Sequence, residues 1–323
     1  MLVNVFDLPF VKNAPHDGRL VYIAPYYDIS LHKWNIFMPT EKGMFLKLEG
    51  AYPATRFYLS TQPENPETDP ELPFGTFITQ CFSFRGINGP FECIISDIEN
   101  LSSILEIYHI ISVQNESLVL METQVEYLMF VVRSVYDLLQ LISKNTSILL
   151  RSATDLSKKI IKGLPEDFAK ICLSDDKPRT SSEIQEKWNL PAVLADFYVN
   201  ETPYFLSLRE TRNEIAHHGS QISMLFRAKE GIAVNQDQLP WSRFHIWNSQ
   251  KQKENNLSSL RLFFASVISN AIELPNRYIK ALSSCLSESP AAVHPEMKCF
   301  LKHPFAHHIV KLAQYLESPW EKE

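Results

Sequence analysis

The sequence predicts an α+β fold that is mainly α: a helical bundle preceded by a small β-rich N-terminal module, with a β-hairpin inserted before the last bundle helix. Three observations carry this. Short β-prone runs separated by proline and glycine fill the first part of the chain, the pattern of short strands. From Asp97 onward apolar residues recur at spacings of three and four, the helical period. Gly231 sits between the β-prone runs "ISMLFRAKEGIAV" and "RFHIWNS", where a hairpin turn is expected. The expected units are a β-rich module over 1–96, a bundle over 97–290 and a C-terminal helix within 291–323.

In the first unit, "RLVYIA", "GMFLKLEG", "TRFYLS" and the alternating "GTFITQCFSF" read as strands. "PENPETDPELP" between them is dense in proline and acids and reads as an exposed loop. Asp97 is the expected N-cap of a first bundle helix, "DIENLSSILEIYHIIS". "ESLVLMETQVEYLMFVVRSVYDLLQLISKN" is a long second helix, and "DLSKKIIKGLPEDFAKICL" gives shorter pieces broken at Gly163 and Pro165. A Ser-x-x-Gln pattern from Ser182 to Gln185 marks another helix start. The third main helix is expected from about Pro203 to His218, with Gly219 as its left-handed stop. "NLSSLRLFFASVISNAIEL" and "NRYIKALSSCL" form the fourth, kinked at Pro275, and "HPFAHHIVKLAQYLES" is an amphipathic tail helix that packs back on the bundle or on the β-rich module.

Composition narrows the function. With 323 residues and 45% hydrophobic content the chain can bury a large core. Its formal net charge of -6 excludes a generally basic nucleic-acid coat and confines any RNA site to a local patch. Five scattered cysteines without a CxxC pair fit reduced thiols, hence the cytoplasm. Asp7 and Pro9 interrupt what an export signal would need, and Glu122, Glu126, Arg133 and Asp137 interrupt the longest apolar stretch, so no membrane span is expected. With nine glycines the chain has no phosphate-binding GxxxxGK[ST] loop, no GxGxxG after a strand, no GxSxG elbow and no HExxH.

What remains is "SLRETRNEIAHHGS", Ser207 to Ser220. On a helix Arg209, Arg212, Asn213, Ala216 and His217 share one polar, mostly cationic face. An alternative reading pairs Arg209 and Arg212 with Glu210 and Glu214 on the surface and leaves His217 as a helix-end histidine. On the long helix Glu126, Arg133 and Asp137 also share a face, as an Arg133–Asp137 pair or an ion pair with Arg212.

The segment "RNEIAH", Arg212 to His217, on the third main helix of a bundle, resembles the signature of the HEPN superfamily: an arginine, a polar residue, and a histidine four to six residues beyond the arginine. The resemblance covers roughly residues 97–286. It implies a metal-independent endoribonuclease, a toxin or abortive-infection effector, whose site assembles at a homodimer interface from two copies of the motif. Arg212, Asn213 and His217 would be catalytic, with Arg209 and His218 contacting RNA. Five residues separate Arg212 from His217, about 140° and about 7.5 Å along a helix, so one chain offers half a site and a twofold contact completes it.

The implied chemistry has a neutral His217 take the 2′-hydroxyl proton, the oxygen attack phosphorus, and the arginines hold the added charge, leaving a 2′,3′-cyclic phosphate and a 5′-hydroxyl. Asn213 would orient the ring, and no cofactor is implied. Gly219 stands where the branch regulated by AMP-transferring antitoxins has tyrosine, so that modification is not expected here, although an antitoxin or regulatory protein remains an expected partner class. Two alternatives belong to other classes: a non-catalytic HEPN-like module binding RNA, nucleotide or a protein, and a purely structural bundle. His303 and His307 are one turn apart, but Pro304 and the lack of a nearby acid in sequence argue against a metal, and none is assigned.

Overall fold

The structure, a computed structural model, describes residues 1–4, 7–8, 25–40, 44–49, 55–81, 87–114, 117–153, 163–218, 225–247, 256–286 and 296–320. Its elements run β1 (Leu2–Asn4), β2 (Tyr26–Asp28), β3 (Lys33–Pro39), β4 (Met44–Glu49), β5 (Phe57–Ser60), α1 (Pro73–Cys81), α2 (Asn88–Gln114) and α3 (Leu118–Ala153). There follow α4 (Phe168–Cys172), β6 (Leu173–Ser174), β7 (Lys177–Pro178), α5 (Ser181–Trp188), α6 (Ala192–His218), β8 (Leu225–Ala228) and β9 (Gly231–Asn235). The last are β10 (Leu257–Ser259), α7 (Leu260–Ser283), β11 (Lys298–Leu301), α8 (His307–Val310) and α9 (Leu312–Glu317). The fold is α+β and mainly α, as predicted.

Four long helices, α2, α3, α6 and α7, form the bundle. Their buried residues follow alternating steps of four and three: Ile94, Ile98, Leu101, Leu105 and Tyr108 on α2; Met121, Val125, Leu128, Val132, Val135, Leu139 and Ile142 on α3. That period keeps one apolar seam facing the neighbour along the whole helix, which is why α2 and α3 lie along each other so extensively. On α6 the seam is Leu194, Tyr198, Glu201, Phe205 and Leu208. The polar member is matched: Arg277 on α7 donates from Nε and Nη2 to the Glu201 carboxylate at 2.6 and 2.9 Å. Among the described residues no helix is long and apolar enough to cross a membrane.

The N-terminal strands form a sheet in the order β1-β4-β3-β2-β5-β11, antiparallel except between β2 and β5. Its edge strand β11 comes from the far end of the chain, so the C-terminal segment is not one helix: it contributes a strand to this sheet, α8 against α2, and α9 against α7. The helix α2 runs without a break through position 96, the predicted module boundary.

Several local expectations are corrected. The alternating "GTFITQCFSF" is helical in its described part, as α1; "RLVYIA" lies outside the described residues. Pro73 suits a first helical position, Phe74 and Ile78 bury at i and i+4, and Asn276 Oδ1 accepts from the Phe74 amide at 2.9 Å. Tertiary burial between β11 and α7 thus overrides the strand-like alternation. Asp97 is not an N-cap but lies half-buried inside α2, and burial raises its carboxyl above the ordinary range. The α5 capping box is Thr180 with Glu183, not Ser182 with Gln185. The third long helix starts at Ala192, with Pro203 exposed in its interior. In the insertion only β8 and β9 form the hairpin, Gly231 holding φ 140°; Trp241–Arg243 is a 3-10 turn, and β10 adds a third strand on β9. The loop 63–72 is not wholly solvated, because Asp69 is buried and accepts from Tyr58 Oη at 2.8 Å.

One glycine is placed by close approach. A Cβ on Gly75 of α1 would lie 2.7 Å from Cys299 Sγ of β11, and β11 is tied there by Leu72 N donating to Cys299 O and Cys299 N to Thr76 Oγ1, each 2.8 Å. Gly75→Ala is expected to destabilise the chain by up to about 2 kcal/mol, overpacking of roughly 1–3 kcal/mol less about 1 kcal/mol of helix propensity. The urea midpoint checks this, a rise refuting the close packing.

Candidate functional site at the α3–α6 face

The register between α3 and α6 decides which side chains meet. Tyr198 Oη donates to Gln140 Oε1 at 2.9 Å, and Tyr136 Oη to Glu201 Oε2 at 3.4 Å. Arg133 lies 4.2 Å over the ring of Phe205, and Arg212 lies 5.7 Å over the ring of Phe130. Each step back along α3 is a step forward along α6, so the helices are antiparallel.

Three arginines gather on this face. Arg133 is mostly buried, with Nη2 2.9 Å from Asp137 Oδ1 and 3.8 Å from Asp167 Oδ1. Its Nη1 is buried without a hydrogen-bond partner among the described residues. Burial pushes its pKa down, Asp137 and Asp167 oppose this, and the neighbouring charges of Arg212 and Arg209 add to it; a guanidinium stays charged regardless. Burial likewise raises the Asp137 carboxyl, opposed by Arg133 and Arg212 and assisted by Asp167. Of the two alternatives for the Glu126, Arg133 and Asp137 face, the Arg133–Asp137 pair is the one observed among the described residues.

The predicted residues separate into tied and untied. Arg209 Nη1 is 2.8 Å from Asp176 Oδ1. Asp175 and Asp176 both take positive φ, 48° and 62°, the conformation of a tight I′ turn, and this turn between β6 and β7 brings the carboxylate over. Arg212, half-buried, has no salt bridge among the described residues. Asn213 is half-buried and His217 exposed, and neither has a hydrogen-bond partner among the described residues. His218 is the last residue of α6, and its side chain lies outside the described residues, as does Gly219.

Among the described residues, Arg209 and Arg212 do not pair with Glu210 or Glu214. Both acids face the 3-10 turn: Arg243 holds Glu214 with two bonds of 2.6 Å and reaches Glu210 at 3.3 Å. Ser207 Oγ also donates to Arg243 O at 3.1 Å. The acids are thereby held by Arg243, while Arg212 lies on the opposite side of α6; His217, seven residues after Glu210 and three after Glu214, stands on the acids' side of the helix with Asn213 at its edge.

Sequence reasoning did not find Asp167, Asp176, Phe205 or Arg243. Two local signals were present: Asp167 precedes "FAKIC" as its N-cap, accepting from Ala169 N at 2.8 Å, and an Asp-Asp pair between short apolar runs marks a turn. The arrangement offers an anion a guanidinium with no carboxylate bound to it, backed by a second, buried guanidinium and bordered by an exposed imidazole. No family model, no curated protein and no solved structure matches the chain.

Proposed function

We propose that the chain is a metal-independent endoribonuclease of the HEPN type, a toxin or abortive-infection effector acting as a homodimer in the cytoplasm. The observation that carries the reading is the side-chain sorting on α6. Glu210 and Glu214 are held by Arg243, Arg209 by Asp176, and the residues left untied are the three of the "RNEIAH" motif, Arg212, Asn213 and His217. A structural helix face would be expected to tie its charges to each other; this one ties the others.

In this mechanism His217 of one chain removes the 2′-hydroxyl proton, the 2′-oxygen bonds to phosphorus as the P–O5′ bond breaks, the 5′-oxygen leaves as a hydroxyl by taking a proton from water, and Arg212 of both chains holds the phosphate as its charge grows. Asn213, one turn before His217, orients the imidazole or contacts the phosphate. Arg133 stiffens the patch from below, since it packs against Phe205 and Asp137. His218 and Arg209 lie within the RNA footprint under this reading, Arg209 being exchangeable between Asp176 and phosphate because the half-exposed guanidinium is held by an exposed carboxylate.

Dimerisation is supported by an apolar strip beside the motif. Leu120, Tyr127 and Phe130 of α3 are all exposed and fall at i, i+7 and i+10, one face of the helix that ends under Arg212. The expected result is a dimer at micromolar concentration by light scattering or sedimentation, and Phe130→Glu with Tyr127→Glu should give monomers that have lost cleavage. Monomer alone at those concentrations refutes the composite site. A dimer that binds RNA tightly and never cuts it transfers the proposal to the non-catalytic binding module.

A further inference from the structure

Away from the motif, a second group of polar side chains converges where α8 packs on α2. Glu106 and His109 are one turn apart on α2, and His307 and His308 begin α8. His308 is buried, with Nε2 2.6 Å from Glu106 Oε2 and Nδ1 2.9 Å from Tyr315 Oη of α9. The rings of His307 and His308 are 4.1 Å apart, and that of His109 is 6.2 Å from His308. One ligand atom from each of Glu106, His307 and His308 lies within 4.8 Å of the other two.

The cluster brings two imidazoles and one carboxylate close enough together to share one ion, with a third imidazole beside them. We propose that Glu106, His307 and His308 bind a zinc-class divalent ion, with the fourth position taken by water or by His109.

The ligand chemistry selects the metal. Two imidazoles and one carboxylate suit zinc and its neighbours, whereas calcium and magnesium call for oxygen donors alone. The outer contacts are those metal-bound histidines make: Nδ1 of His308 faces the Tyr315 hydroxyl, and Nδ1 of His307 is 3.3 Å from Pro304 O, which leaves Nε2 of both rings for the ion. Donors about 2.0 Å from a tetrahedral ion are about 3.3 Å apart. The Glu106–His308 contact must therefore open slightly and the wider pairs close, changes within reach of side-chain rotation.

The acid that the tail lacked in sequence comes from α2, about two hundred residues away. An ion there would clamp the C-terminal segment, α8 with α9, to the bundle. It shares no residue with Arg212, Asn213 or His217, so it is a structural ion, and its removal is expected to lower Tm without abolishing cleavage.

The test uses the tag-free full-length chain, stripped with a chelator and titrated with Zn²⁺ against a chromophoric competitor, and in parallel with Co²⁺ by visible absorption. One ion per chain, a rise in Tm and the intense d–d bands of four-coordinate Co²⁺ are expected. His307→Ala, at a half-buried position, and Glu106→Gln should each weaken binding at least about 10-fold, Tyr315→Phe should weaken it about 10-fold through the outer contact, and His245→Ala should not change it. A wild-type chain that takes up no stoichiometric ion overturns the proposal without recourse to any variant. So does binding by folded His307→Ala and Glu106→Gln chains that equals the wild type.

Discussion

His217→Ala is expected to lower the rate of RNA cleavage by about 10²–10⁴-fold and to leave the urea midpoint unchanged. The size follows from the role: removing the general base removes proton abstraction from the attacking hydroxyl. The unchanged stability follows from the structure, because His217 is exposed and makes no hydrogen bond among the described residues. His218→Ala is the internal comparison. As a helix-end histidine His218 contributes about 1 kcal/mol or less to stability through the helix dipole, so its loss should change cleavage little. In a bacterial host, expression of the parent chain should slow growth, His217→Ala should relieve this, and His218→Ala should relieve it less. Equal loss of cleavage in both variants, each folded, sinks the assignment of His217.

The difference between what was legible in the sequence and what was not has a physical origin in each case. The bundle was legible because α2, α3 and α7 each carry an apolar seam at helical period over many turns, and a seam of that length has few alternative structures. The motif face of α6 was legible for the same reason: a polar stripe is set by local periodicity. The start of α6 was not, because Pro203 mimics a first-turn proline, yet Leu194, Ala195 and Tyr198 bury ahead of it and carry the helix through. In α1, the seven residues it takes from the alternating run, Gly75–Cys81, fit a strand, and only contacts with β11 and Asn276, more than 200 residues away, decide for helix.

Long range also hid half of each polar cluster. Arg133 and Asp137 could be paired from sequence because they are four apart on one helix, but nothing local brings Asp167 to the same guanidinium or Asp176 to Arg209. The same limit applies to the tail. His303 and His307 were weighed as ligands and set aside because of Pro304 and for want of an acid, while Glu106 stands on a helix whose sequence gives no sign that α8 will pack there. Charges that find partners within a turn can be read from spacing; charges paired through the fold cannot. That asymmetry strengthens the case for the motif, since Arg212 had several acids near it in sequence and the fold assigned them to Arg243.

Arg212→Lys should lower cleavage by about 10²-fold while changing affinity for an uncleavable 2′-deoxy analogue by only a few-fold. Lysine keeps the charge, so the attraction to phosphate that dominates binding survives, along with its salt dependence. It loses the planar fork, the geometry that meets two phosphate oxygens at once, and the loss is felt most where charge accumulates in the transition state. It also loses flat packing over the exposed Phe130 ring, an interaction of about 0.5–1 kcal/mol at such a site, too small to account for a hundred-fold change. Arg209→Lys is the matched control, because Arg209 is already engaged by Asp176 and lies off the line from Arg212 to His217. Cleavage is followed with excess EDTA and the product ends are examined for cyclic phosphate, at fixed salt. Since a structural ion at Glu106, His307 and His308 would also be stripped, Tm is recorded under the same conditions, and His307→Ala separates the two effects. Cleavage that vanishes with EDTA in His307→Ala as well, while that chain stays folded, places a metal in the chemistry and rejects the mechanism. Equal losses of binding and cleavage in Arg212→Lys reduce Arg212 to a phosphate anchor and leave the transition state without its proposed partner.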